Sequence, residues 1–199
     1  AKRAGFEHQH TALDLHDRKC DQNLARLRKA GITGVRTVSG DACELDEVLT
    51  SFDAMLGEPA LFDTVFIDAP CSGTGTMRRH PEIPWRLTEN DVTTALPRLQ
   101  LTMLKEAAAR VAAGGELIYA TCSVFDEENT QVIDAFLASP EGQGFAVKPL
   151  SESQILQLPE FVQAKNLVTV RQNDRGLFQS VPVNADSYDG HFCARLVRN

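Results

Sequence analysis

Along this chain the spacing of apolar residues switches repeatedly between the period of a strand and that of a helix, and each switch marks an element. Thr11-Ala12-Leu13-Asp14 reads as a short strand ending on an acid. Asp17 to Ala30 has Cys20, Leu24 and Leu27 on one side of a helix, with Gly31 as its stop. Val35-Arg36-Thr37-Val38 is the next strand, and a helix is predicted from Glu44 to about Met55. Leu61-Phe62-Asp63 leads through Val65-Phe66-Ile67 to Asp68, a third strand. Leu99, Met103, Leu104, Ala107 and Val111 predict a helix from about Leu96 to Ala113, ended by Gly114-Gly115. A strand over Glu116 to Ala120 comes next, then a helix from Glu127 to Leu137 with Val132, Ile133 and Phe136 facing inward. Phe145 to Lys148, Leu177 to Val183 and His191 to Val197 read as the closing strands, the last two as an antiparallel edge. Residues 1–9 look like the end of a helix, and residues 149–175 show no clear period. Strands alternating with helices predict an α/β domain built on a mostly parallel sheet.

The 199 residues make one domain, 1–199, large enough for a real core. A hydrophobic share of 43% and a charged share of 24% are those of an ordinary globular protein. No run approaches the roughly 18 apolar residues of a membrane helix, and no basic-then-apolar stretch opens the sequence, so a cytosolic protein is expected. Five cysteines without a Cys-x-x-Cys pair argue against a disulfide scaffold or a metal site. The net charge of −7 runs against nucleic-acid binding, because phosphate contacts need Lys and Arg. Its distribution changes that picture. Asp41 to Asp63 holds seven acids and no Lys or Arg, which accounts for the whole surplus, whereas Arg78, Arg79, His80 and Arg86 cluster further on.

Two strand ends carry thiols. Val65-Phe66-Ile67 runs into Asp68-Ala69-Pro70-Cys71-Ser72-Gly73-Thr74-Gly75, and Leu117-Ile118-Tyr119-Ala120 runs into Thr121-Cys122-Ser123. In an open α/β sheet ligands bind outside the carboxyl ends of parallel strands, so both thiols can reach one cleft. With Asp189-Gly190-His191-Phe192 near the C-terminus, these motifs resemble the RNA (cytosine-5)-methyltransferases, most closely the bacterial 16S ribosomal RNA branch called Sun or Fmu. The resemblance implies a Rossmann-like class I S-adenosylmethionine-dependent methyltransferase whose partner is RNA, with ribosomal RNA first among candidates. It implies Cys122 as the nucleophile, Cys71 as the group that helps release the product, and Asp68 beside the base. Asp14, Asp41, Asp68 and Pro70 are the implied cofactor residues. Arg78, Arg79 and His80 are candidates for the RNA. No metal is implied, and no stretch resembles the separate RNA-binding region that family members commonly carry.

Some alternatives stay open at this point. DNA cytosine-5 enzymes attack with the cysteine after proline, and Pro70-Cys71 has that look. Asp14 and Asp41 also suit plain helix caps, Trp85 suits packing better than stacking on a base, and Cys20, Cys43 and Cys193 suit packing. Family members open the catalytic domain with a strand and a Pro-Gly-Gly-Lys-Thr-like loop, and this sequence has none. That strand normally lies between those ending at Asp14 and Asp68. The expectation is therefore an N-terminally truncated domain lacking its first strand, with Leu167-Val168-Thr169-Val170 as a remote substitute. A non-catalytic remnant unable to hold cofactor, an amino-group methyltransferase and a thiol hydrolase are the competing functions.

Overall fold

The computed structural model describes residues 10–149, 151, 168–182 and 189–199. Its elements run β1 (His10–Asp14), α1 (Asp17–Lys29), β2 (Val35–Ser39), α2 (Leu45–Leu56), β3 (Phe62–Asp68), α3 (Ile83–Arg86), α4 (Leu96–Ala109), β4 (Val111–Thr121), α5 (Thr130–Ala138), β5 (Phe145–Val147), β6 (Val168–Gln172), β7 (Phe178–Pro182) and β8 (His191–Arg198). The helix expected before residue 10 lies outside the described residues.

Two sheets result. β1 and β2 pair in parallel, with Asp14 opposite Ser39. The larger sheet has the order β3-β4-β8-β7-β6, with β5 also on β8. β3 and β4 are parallel, and β8 is antiparallel to β4, β5 and β7. Among the described residues β1 and β3 do not pair, in keeping with the gap expected between them. The segment proposed as a substitute goes elsewhere: β6 pairs antiparallel with β7 at the far edge.

The core lies where β4 and β8 meet α4 and α5. Leu117 and Tyr119 alternate inward along β4, and Phe192, Ala194 and Leu196 along β8, as the two-residue period of a strand requires. Leu104, Ala107, Ala108, Val132, Ile133 and Phe136 close over them from the helices. α4 stops at Ala109, four residues earlier than the apolar spacing predicts, because Val111 has already joined the sheet. Phe62 faces Val111 and Thr64 faces Glu116, so residues 112–115 are looped out of register. Gly114, at φ 72°, takes the left-handed turn this detour requires.

The β1–α1–β2 unit is thinner. In α1 only Cys20 is buried, its thiol donating to the Val38 carbonyl at 3.3 Å, while Leu24 and Leu27 stay half-buried. Arg110 anchors α2 to the end of α4, donating to Asp46 at 2.6 Å and Asp53 at 2.8 Å. Two acids of the 41–63 stretch are thus spent on structure.

Candidate active site

β3 and β4 end in register, with Asp68 opposite Ala120, and the Ala69 amide donates to the Ala120 carbonyl at 2.9 Å. Parallel pairing therefore delivers Cys71 and Cys122 to the same end of the sheet. Their sulfurs lie 3.3 Å apart. Past Cys71 the chain is tied to both other motifs: the Gly75 amide donates to the Cys122 carbonyl, and the Gly190 amide to the Gly75 carbonyl, both at 2.8 Å. A Cβ on Gly75 would stand 2.0 Å from the Gly190 oxygen, so only glycine lets the three motifs meet.

The two thiols are electrostatically unlike. Cys122 is drawn down from the ordinary 9.0 to about 7, chiefly because Cys71 donates a hydrogen bond to it, against burial and the Asp68 carboxylate, which push the other way. Cys71 is pushed well up, by that same bond to Cys122 and then by burial. At this separation either sulfur can donate to the other; the opposed shifts favour Cys71 as the donor and Cys122 as the thiolate. Charge-assisted bonds of this kind are stronger than neutral ones. Cys43 is raised to about 11 by burial and by Asp41, and burial raises Cys193, so neither offers a reactive thiolate near neutral pH.

Beneath the pair lies a polar network that the sequence did not disclose. Glu128, 0% exposed, accepts from the Ser72 amide at 2.8 Å, the Ser123 hydroxyl at 2.5 Å and Gln100 Nε2 at 3.1 Å. Gln100 also donates to the Pro70 carbonyl at 2.9 Å, and the Tyr119 hydroxyl to the Glu128 carbonyl at 2.6 Å. Asn129 grips the second loop, accepting from Thr121 at 2.7 Å and donating to the Ser123 carbonyl at 3.0 Å. Glu127 and Glu128 were visible only as acids opening a helix. Burial of the second follows from the turn over Asp126–Glu128 that precedes α5.

The remaining sequence candidates fall in three places. Asp68 ends β3 with an exposed side chain, and no described residue hydrogen-bonds its carboxylate; Pro70 is exposed beside it. Asp14 and Asp41 lie at the carboxyl ends of β1 and β2. Neither is a helix cap: Asp14 Oδ1 accepts from the His16 amide at 3.0 Å, and Asp41 Oδ1 from the Cys43 amide at 2.8 Å, while the cap positions belong to His16 and Glu44. Arg79 is clamped on Asp189, whose carboxyl it holds below the usual range. Arg78 stands 3.9 Å from Asp189 and His80 3.5 Å from Glu82, both partly exposed. Trp85 does not pack as expected, being 89% exposed on α3. Ile83, at the head of that helix, lies against Gly73 of the first thiol loop.

S-adenosylmethionine presents ribose hydroxyls and an adenine amine, all hydrogen-bond donors. Carboxylates at or just past the carboxyl ends of β1, β2 and β3, with Asp14 Oδ2 bonded by no described residue, fit such a ligand. The fold is the Rossmann-like fold of class I S-adenosylmethionine-dependent methyltransferases. It superposes on PH0851 with a TM-score of 0.72 at 28% identity, over 94% of this chain and 36% of that one. NSun6 from Pyrococcus horikoshii gives 0.69 at 20% identity, over 94% and 41%. Within that class the chain belongs to the family described as 16S rRNA methyltransferase RsmB/F, which it matches over residues 5–197. It is similar to the ribosomal RNA small subunit methyltransferase B of Citrobacter koseri, 44% identical over 151 residues, 73% of this chain and 33% of that protein. The Salmonella arizonae protein of that name is 49% identical over 126 residues, 63% and 27%. The chain thus spans about a third or less of such relatives.

Proposed function

We propose that this chain is the catalytic domain, one unit over 1–199, of a cytoplasmic enzyme that methylates carbon 5 of a cytosine in ribosomal RNA. Family membership supports ribosomal RNA as substrate, since both named relatives are ribosomal RNA methyltransferases. The observation that carries the cytosine-5 chemistry is the pair of thiols at 3.3 Å with opposed proton affinities. Methylation of an amino group needs no thiolate, and a thiol hydrolase needs a histidine paired with its cysteine. The nearest histidine in sequence, His80, sits with Glu82 instead.

Carbon 5 of cytosine is a poor nucleophile until a thiolate adds to carbon 6. Cys122 makes that bond, and Asp68 neutralises the ring near nitrogen 3 as charge develops there. Asp14, Asp41, Asp68 and Pro70 would hold S-adenosylmethionine, which when bound would supply the methyl group as an electrophile. In the release step the carbon 5 proton passes to solvent with Cys71 assisting, the electron pair reforms the ring double bond, and Cys122 leaves carbon 6 as the thiolate that the Cys71 S–H again hydrogen-bonds. Because a base stacked in RNA is out of reach, the target must be splayed out, at a cost of a few kcal/mol. Arg78, the exposed Trp85 and His80, beside the first thiol loop, are the proposed RNA contacts that offset part of it. Arg79 steadies that rim through Asp189.

Incubating the protein with small-subunit RNA and labelled S-adenosylmethionine, then digesting to nucleosides, tests this reading. Label in 5-methylcytidine is expected. Label in a methylated adenosine, or at an amino group, would refute it.

A further inference from the structure

We infer that Glu128 is a positioning residue: it clamps the two thiol loops at the separation that lets Cys71 hydrogen-bond Cys122. The inference deepens the proposed chemistry and rests on it. The carboxylate touches neither sulfur. It holds the residue after each of them, the Ser72 amide with Oε1 and the Ser123 hydroxyl with Oε2. Gln100 extends the grip on the first loop, bridging Oε1 and the Pro70 carbonyl on the other side of Cys71. The Ser72, Thr74 and Ser123 hydroxyls close a ring between the loops, at 3.1 to 3.3 Å. A carboxylate that is 0% exposed costs free energy unless every donor around it is aimed, and here the donors come from the loops that must be brought together.

A packing carboxylate would require no such distribution of donors. The Glu128 charge is itself unhelpful, since it disfavours the Cys122 thiolate. Its role is therefore geometric, and the uncharged isostere separates geometry from charge. In Glu128→Gln the amide oxygen accepts from Ser72 and Gln100, while the new NH2 donates to the Ser123 oxygen, whose proton turns to Ser72 or Thr74. Glu128→Ala leaves both loops unheld.

The test is the pH dependence of iodoacetamide alkylation at Cys122, read by peptide mass spectrometry on the 199-residue chain, with a thermal melt of each variant. The groups acting on Cys122 are Cys71, Asp68, Glu128 and Arg79, and only the third is altered. The native midpoint is expected near pH 7. Glu128→Ala should move it toward the ordinary thiol value and slow alkylation at pH 7 roughly tenfold. Glu128→Gln should keep the native midpoint or lower it slightly, since the charge it removes disfavours the Cys122 thiolate. An unshifted midpoint in folded Glu128→Ala overturns the inference, as does a Gln variant that shifts as far as Ala. If Glu128→Ala does not fold, Ser123→Ala, which removes the arm to the second loop, must raise the midpoint, and no rise overturns it. The assay reads thiol chemistry and not methyl transfer. A native profile on a chain that makes no 5-methylcytidine would therefore refute the proposed function alone.

Discussion

The two parallel strand pairs carry unlike halves of the site. β3 and β4 run out of a core of buried side chains, and the loops they deliver are fastened by a fully buried glutamate. β1 and β2 contribute nothing to that core, and beneath them only Cys20 of α1 is buried. A two-stranded sheet is marginal alone; here Arg36 of β2 lies over the Phe52 ring of α2 at 4.4 Å, and α2 is in turn held by ion pairs to Arg110. On the proposed function, the difference follows the chemistry assigned to each half. Two sulfurs must keep one separation to share a proton, which requires aimed, buried donors. A donor-rich cofactor requires only acceptors at strand ends, which a lightly packed sheet can supply.

The widest separation between the halves is expected in chemistry. Cys122→Ala should cut methyl transfer to ribosomal RNA on the order of 10⁴-fold or more in a labelled-methyl assay. Asp14→Ala should leave the Cys122 alkylation profile native while weakening S-adenosylmethionine binding about tenfold by calorimetry, as expected for one lost charge-assisted hydrogen bond. A shifted profile would mean the halves are not separable. In stability, Phe136→Ala removes a ring that is 0% exposed and lies 5.6 Å from Phe145, so a loss of about 3–5 kcal/mol is expected in denaturant melts. Leu24→Ala on half-buried α1 should cost about 1 kcal/mol or less. Equal costs would erase the contrast.

The pH prediction follows from the shared proton. Cys122, drawn down to about 7, passes from thiol to thiolate between roughly pH 6 and 8, whereas Cys71 keeps its proton throughout. One equivalent of iodoacetamide should react at pH 8, at Cys122. Because its folded value lies below the ordinary 9.0, this group's contribution to stability is complete above pH 9 and lost as pH falls through 7.

Strand and helix order was legible because each element is short and its period clean. The end of α4 was not. Val111, Ala112 and Ala113 continue a helical pattern up to Gly114-Gly115, yet pairing of Val111 with Phe62 overrides local preference. The thiols, and the acids at the ends of β1, β2 and β3, could be found from position alone. Glu128 and Gln100 could not, since a buried polar network depends on which side chains from distant elements converge. Trp85 was misjudged for a related reason. A lone aromatic usually packs, and only the three-dimensional path of α3 turns it outward.

The account turns on Cys122, not Cys71, being the attacking thiol. The most direct measurement offers the protein RNA containing 5-fluorocytidine in place of cytidine, together with S-adenosylmethionine, and looks for a covalent complex on a denaturing gel. Fluorine at carbon 5 cannot leave as a proton does, so the adduct is trapped. Wild type and Cys71→Ala are predicted to show the complex and Cys122→Ala to show none. A complex that survives Cys122→Ala and vanishes in Cys71→Ala would contradict the account and exchange the roles of the two thiols.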